Sequence, residues 1–165
     1  MDLRPAGAGD VDFLHAMLYE AAHWSPDRPR MDRAEARTHP RMAHYVDGFP
    51  RPGDAGVVAE EDGRPIGAAW YRRFSADAPA DGFVAEDIPE VAIAVVAEAR
   101  GRGVGTALLT ALLDRAAAEG LGAVSLSVED ANPARRLYEH VGFERVGGTP
   151  GSSTMVHRLG GRPGG

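Results

Sequence analysis

Apolar residues Val11, Leu14, Leu18, Ala21 and Ala22 recur at three- and four-residue steps, which predicts a helix that buries one stripe. Asp10 stands where its N-cap belongs, and Trp24-Ser25-Pro26 ends the pattern. A short strand over Asp2 to Pro5 precedes this helix. From Pro26 to Pro52 the periodicity lapses among five prolines and many Arg, His and Asp residues, with a second helix predicted from Asp32 and a third over Arg41 to Val46. The chain then changes character. Gly56 to Glu60 and Ile66 to Phe74 flank Glu61-Asp62-Gly63, and an Asp-Gly pair between β-branched and aromatic runs predicts a hairpin. After a loop over Ser75 to Pro89, the apolar run Glu90 to Val96 predicts a strand buried on both faces near the sheet centre. The glycine-rich stretch Arg100 to Gly105 opens an amphipathic helix reaching about Glu119, with Val104, Leu108, Ala111, Leu112 and Arg115 along one stripe and Gly120 and Gly122 behind it. A buried strand over Ala123 to Val128, a helix over Pro133 to His140, and an antiparallel pair over Phe143 to Val146 and Thr154 to Leu159 complete the order β-α-α-β-β-β-α-β-α-β-β.

Composition narrows the chemistry. The 165 residues suffice for one domain with one core, expected over residues 1–159, with the glycine-rich residues 160–165 as a disordered tail. All 18 basic residues are Arg; Lys, Gln and Cys are absent, and Asn132 is the only Asn. Without Lys there is neither a Walker A phosphate loop nor Schiff-base catalysis. Without Cys there is no disulfide framework, thiolate metal site or cysteine nucleophile. The six His lack metal-ligand spacing, so no metal site is expected. A net charge of -6 argues against a nucleic-acid partner, since neutralising phosphates needs a basic face. The apolar run Val91 to Ala97 is far short of the roughly 20 residues of a membrane helix, and the acidic start Met1-Asp2 does not resemble a signal peptide. A cytoplasmic protein without a membrane partner is the expectation.

The segment Val91 to Ala118 carries the strongest chemical signal. A strand, a glycine-rich turn and a helix place unpaired backbone N–H groups at the positive end of a helix dipole, and glycine lets a phosphate approach the main chain. Arg100 and Arg102 can add charged contacts to the same phosphates. The alternative is a plain tight turn in which glycine only relieves strain. A dinucleotide site is disfavoured, because R-G-R-G-V-G lacks the G-x-G-x-x-G pattern.

Ile93-Ala94-Val95-Val96-Ala97-Glu98-Ala99-Arg100-Gly101-Arg102-Gly103-Val104-Gly105-Thr106 resembles motif A of the GNAT superfamily of N-acetyltransferases, matching its Arg/Gln-x-x-Gly-x-Gly/Ala signature at Arg100, Gly103 and Gly105. Downstream, Asn132-Pro133-Ala134-Arg135-Arg136-Leu137-Tyr138-Glu139-His140-Val141-Gly142-Phe143 resembles motif B. The likeness covers about residues 55–147 closely and the first 55 in topology. It implies an α/β fold (a mixed α+β sheet) of the acyl-CoA N-acyltransferase type, with a mostly antiparallel central sheet, one splayed parallel pair and flanking helices. It implies acetyl-CoA as cosubstrate, its pantetheine paired with the main chain of Ile93, Ala94 and Val95 and its pyrophosphate on the amides of Gly101, Arg102, Gly103, Val104, Gly105 and Thr106, beside Arg100. Asn132 corresponds to the cofactor-contacting asparagine and Tyr138 to the tyrosine that protonates the leaving thiolate. The family more often has seven residues from that Asn to that Tyr, whereas here the step is six. Tyr138 read without the resemblance is also a packing residue beside Leu137 and Phe143.

The attacking amine must be neutral, so a base or a proton-carrying water is required. Glu90, at the head of the central strand, is the candidate, as the resemblance implies for some members; its plainer reading is an exposed carboxylate that marks where the strand starts. Ser125 and Ser127 have no His or Asp pattern beside them and are poor nucleophiles, which favours direct transfer without an acyl-enzyme. His15, Trp24, His39, His44, Tyr45, Trp70 and Tyr71 are candidates for an acceptor pocket. The reading is an N-acetyltransferase moving acetyl from acetyl-CoA to a primary amine of a small molecule or peptide. The alternatives are a non-catalytic CoA-binding sensor and an acyltransferase using another acyl-CoA. Exposed edge strands leave a homodimer open.

Overall fold

The computed structural model describes residues 1–160. Of the tail expected over residues 160–165, residues 161–165 lie outside the described residues. Among the described residues one sheet has seven strands: β1 (Asp2–Pro5), β2 (Ala55–Glu61), β3 (Arg64–Arg72), β4 (Glu90–Val95), β5 (Ala123–Glu129), β6 (Glu144–Thr149) and β7 (Ser152–Arg158). Their spatial order is β1-β2-β3-β4-β5-β7-β6, antiparallel throughout except for the parallel pair β4 and β5. The helices are α1 (Val11–Ala22), α2 (Arg33–Thr38), α3 (Pro40–Ala43), α4 (Val104–Ala118) and α5 (Ala134–Val141). This is the mixed sheet flanked by helices that the resemblance implied.

The period-two pattern sorts the strands into two cores. Val57, Ala59, Ala69, Tyr71, Val91, Val124 and Leu126 face α4 and α5 together with Leu108, Leu112, Tyr138 and Phe143. Val58, Ala68 and Trp70 face the opposite side, where Leu14, Met17 and Leu18 of α1 meet Tyr45, Val46 and Phe49. The hairpin forms as predicted. Asp62 at φ 52° and Gly63 at φ 76° are both left-handed, as a two-residue turn between Glu61 and Arg64 of a twisted antiparallel pair demands.

Three details differ from the expectations. The third helix is shorter, ending at Ala43, and Tyr45 and Val46 lie in the turns behind it. The Asp10 carboxylate does not cap α1; it accepts from the Gly7 amide at 2.8 Å and from Arg4 at 2.7 and 2.9 Å, tying β1 to the turn before the helix. The Arg4 guanidinium holds that carboxyl below the ordinary Asp range. And β4 is not buried on both faces: only Glu90 and Val91 are, while Ala92 to Val95 are half-buried. The reason is the strand beside it.

Candidate active site

β4 and β5 run parallel but pair only at Glu90 and Ser125. Beyond that point the backbone of β4 toward β5 has no strand partner, and a cleft of about 910 Å³ opens between them. Its walls are Ala92 to Val95 on one side and Leu126 to Glu129 on the other, with Leu137 and Tyr138 of α5 and the last turns of α1 closing it. Because Tyr138 belongs to the core under α4 and α5, whereas Tyr45 belongs to the core under α1, the cleft passes through the sheet and joins its two faces.

The glycine-rich turn sits at the end of β4. Gly101 and Gly103 have φ of 74° and 80°, a conformation that other residues adopt at a cost, and Gly103 caps α4. Among the described residues no acceptor takes the N–H groups of Gly101 to Thr106, so six amides gather at the positive end of a 15-residue helix. Gly105 lines the cleft, and a Cβ there would lie 3.1 Å from Leu137 Cδ2; glycine lets α4 and α5 approach. Arg100 also lines the cleft, its Nε donating to the Val95 carbonyl at 3.1 Å and its Nη2 lying 3.4 Å from Glu20 of α1. Arg102 turns away, toward Glu61 at 2.9 Å, and Val104 is buried in the core. Ile93, Ala94 and Val95 all line the cleft.

Tyr138 is 8% exposed and lines the cleft. Burial alone pushes its phenol up to about 12, so the proton is held at any physiological pH. Asn132 precedes α5 and lines the cleft; its Oδ1 accepts from the Ala134 amide at 3.0 Å, and among the described residues its side-chain NH2 has no acceptor.

Glu90 lines the cleft where the strands part, yet it is only 3% exposed, not the surface carboxylate of its plainer reading. Its Oε1 accepts from the Gly82 amide at 2.8 Å and its Oε2 from the Tyr45 hydroxyl. Burial raises it from 4.5 to about 7, against the pull of those two hydrogen bonds. The loop around Gly82 is stitched in place by the Ser125 hydroxyl, which donates to the Gly82 carbonyl at 2.8 Å. A Cβ on Gly82 would lie 2.6 Å from the Leu126 carbonyl carbon, so the loop passes directly over β5.

Of the acceptor-pocket candidates, Trp24 and Tyr45 line the cleft. His15 lies 3.5 Å from Asp47, and Trp70 and Tyr71 are buried in the two cores; with His39 and His44, none of these lines it. No local pattern announces the bridge across the cleft mouth, where Trp24 Nε1 and both Nη atoms of Arg28 donate to the Glu129 carboxylate and Arg28 stacks 5.0 Å from the Trp24 ring. The partners are about a hundred positions apart in sequence, out of reach of any local pattern. Among the described residues no group of three or more His, Cys, Asp or Glu could hold a metal, and no helix is long and apolar enough to cross a membrane.

Residues 16–143 match the model of the acetyltransferase (GNAT) family. The chain belongs to the GNAT family. A GNAT relative named L-methionine sulfoximine/L-methionine sulfone acetyltransferase, from Pseudomonas paraeruginosa, is 34% identical over 155 residues, which cover 90% of this chain and 83% of that protein. A mycothiol acetyltransferase from Acidimicrobium ferrooxidans is 39% identical over 136 residues, 81% of this chain and 40% of the relative. The chain spans only 29% to 43% of the curated mycothiol and diaminobutyric acid acetyltransferases it matches. Among solved structures, a GNAT phosphinothricin acetyltransferase from Sinorhizobium meliloti in complex with AcCoA superposes with a TM-score of 0.70 at 26% identity, covering 96% of this chain and 88% of the other.

Proposed function

We propose that this GNAT chain transfers acetyl from acetyl-CoA directly to the primary amine of a small, amino-acid-like acceptor. The observation that carries the reading is the through-sheet cleft, with a protonated Tyr138 toward one face, the near-neutral Glu90 where the strands part, and six free amides at its end. The amides of Gly101 to Thr106 fit a pyrophosphate. The edge of β4 left unpaired toward β5 along Ile93 to Val95 fits an amide-bearing pantetheine arm, with Arg100 releasing the Val95 carbonyl and turning to the phosphates. The acetyl group then meets an acceptor entering from the α1 face, past Trp24 and Arg28.

Glu90, through a water, takes a proton from the acceptor ammonium, and the neutral amine then attacks the thioester carbonyl; a carboxylate at about 7 suits that task at neutral pH. Tyr138 gives its proton to the sulfur as the C–S bond breaks, and the phenolate takes up the second proton shed by the nitrogen, so that the products are a neutral amide and a free thiol. The absence of Cys from the sequence, and a Ser127 at the cleft with no base bonded to it, favour attack within a ternary complex over an acyl-enzyme. The amino-acid-like acceptor is suggested by the Pseudomonas relative, whose length this chain nearly matches.

A thiol-release assay tests the reading, with acetyl-CoA as donor and L-methionine sulfone, 2,4-diaminobutyrate, alkyl amines and a peptide N-terminus as acceptors. Amine-dependent release of CoA, strongest for an α-amino acid, is expected. Binding of acetyl-CoA without release by any amine would instead mark a CoA sensor, and faster release from propionyl- or succinyl-CoA would mark another acyl donor.

A further inference from the structure

Glu90 is held by residues distant from it in the chain, and Tyr45 is the one whose own position is most strongly enforced. Its main-chain carbonyl accepts from the Trp70 indole at 2.9 Å. The neighbouring carbonyls of His44, Val46 and Asp47 accept from Arg72 at 3.1, 3.4 and 2.7 Å, and Arg72 is itself paired with buried Asp54 at 2.7 Å. The ring is set by edge contacts with His44 and Phe74 at 4.7 and 5.4 Å between centroids. Such packing leaves the hydroxyl few alternatives. It donates to Glu90 Oε2 and accepts from the Asp81 amide at 3.2 Å.

We propose that Tyr45 is the positioning residue of the candidate base, fixing the Glu90 carboxylate at the parting of the strands and tuning its basicity. The inference rests on the reading of Glu90 as the base. A carboxylate bonded on one oxygen by the Gly82 amide alone can rotate about its last torsion; the second bond, from Tyr45, locks the plane. The same bond favours the ionised form and opposes the burial that lifts this carboxyl. Asp81, from the Gly82 loop, pushes in the same direction as burial and is itself paired with Arg41 at 2.9 Å. Opposite Glu90 on β3, Arg72 is engaged by Asp54, and on β5 the partner is the neutral Ser125. Tyr45 is therefore the one side chain that bonds the Glu90 carboxylate among the described residues.

Titration of the Glu90 side-chain carboxyl by carbon-13 NMR, in the full chain, reads the pair without needing turnover. In Tyr45→Phe the midpoint should rise by about one pH unit. With 3-fluorotyrosine at position 45, a stronger donor in an almost identical ring, it should fall. A midpoint unmoved in Tyr45→Phe overturns the proposal; if that variant does not fold, the fluorinated form decides, a lower midpoint supporting the proposal and an unmoved one overturning it. Turnover of acetyl-CoA with L-methionine sulfone adds the kinetic arm. Tyr45→Phe should move the acid limb of kcat upward by the same amount and leave the KM for acetyl-CoA unchanged. Glu90→Gln should abolish that limb. A limb retained by Glu90→Gln overturns Glu90 as base, whereas an unmoved Glu90 midpoint overturns the role of Tyr45 alone.

Discussion

Asn132 uses one side-chain amide for two purposes. Its oxygen satisfies the Ala134 amide at the start of α5, while its NH2, at a residue that lines the cleft, has no acceptor among the described residues. The two can be separated. Asn132→Ala removes both and should lower stability by about 1 kcal/mol, the usual worth of such a cap, and raise the KM for acetyl-CoA. Asn132→Asp keeps the cap and should melt with the parent, yet still raise the KM, since a carboxylate has no N–H to offer; thermal melts alongside Michaelis curves check both. For Tyr138, replacement by Phe removes a hydroxyl that no group among the described residues bonds, so stability should hold while kcat falls by about 10²-fold or more, with acetyl-CoA affinity unchanged by calorimetry. Both residues stand out in the sequence because a motif surrounds them. Tyr45 does not: it was one of several aromatics, and only the fold carries its hydroxyl to a carboxylate 45 positions away.

At the level of strands and loops, local signals were legible and lateral ones were not. Asp62-Gly63 announces its hairpin because a two-residue turn is decided by those two residues. The apolar run of β4 suggested burial on both sides, but its hydrophobicity serves the wall of a cleft, since whether a neighbouring strand stays in register is not written in the strand itself. Residues 26–52 looked irregular because what orders their second half is Arg72, from a strand later in the chain, with its bonds to three of their carbonyls and to Asp54. Arg72→Leu should cost about 3–5 kcal/mol in denaturant unfolding, because Asp54 is left charged and buried without its partner. Arg72→Leu combined with Asp54→Leu should cost less than the sum of the two single changes. If Arg72→Leu unfolds no more easily than the parent, the ordering assigned to Arg72 is wrong.

Taken as a whole, the molecule keeps an ionisable carboxyl inside its sheet, and stability should register the conflict. Glu90 titrates at about 7 when folded, against 4.5 for an ordinary glutamate, so between those values the folded state binds the proton that the unfolded state has lost. Its contribution is therefore favourable at low pH and is lost as pH rises from about 4.5 to about 7, by roughly 3 kcal/mol at most. His15 and His44 slope the other way: burial lowers both, so each costs stability as pH falls from the ordinary histidine value to the lowered folded one, where the unfolded chain has taken up a proton and the folded chain has not. The parent curve mixes these slopes, but the difference between parent and Glu90→Gln isolates the carboxyl. The variant's stability relative to the parent should climb through pH 5 to 7 and level off above, as measured by denaturant midpoints across that range. A flat difference would mean that Glu90 ionises like a surface glutamate, and the cleft would then lack a carboxylate tuned to take a proton near neutral pH.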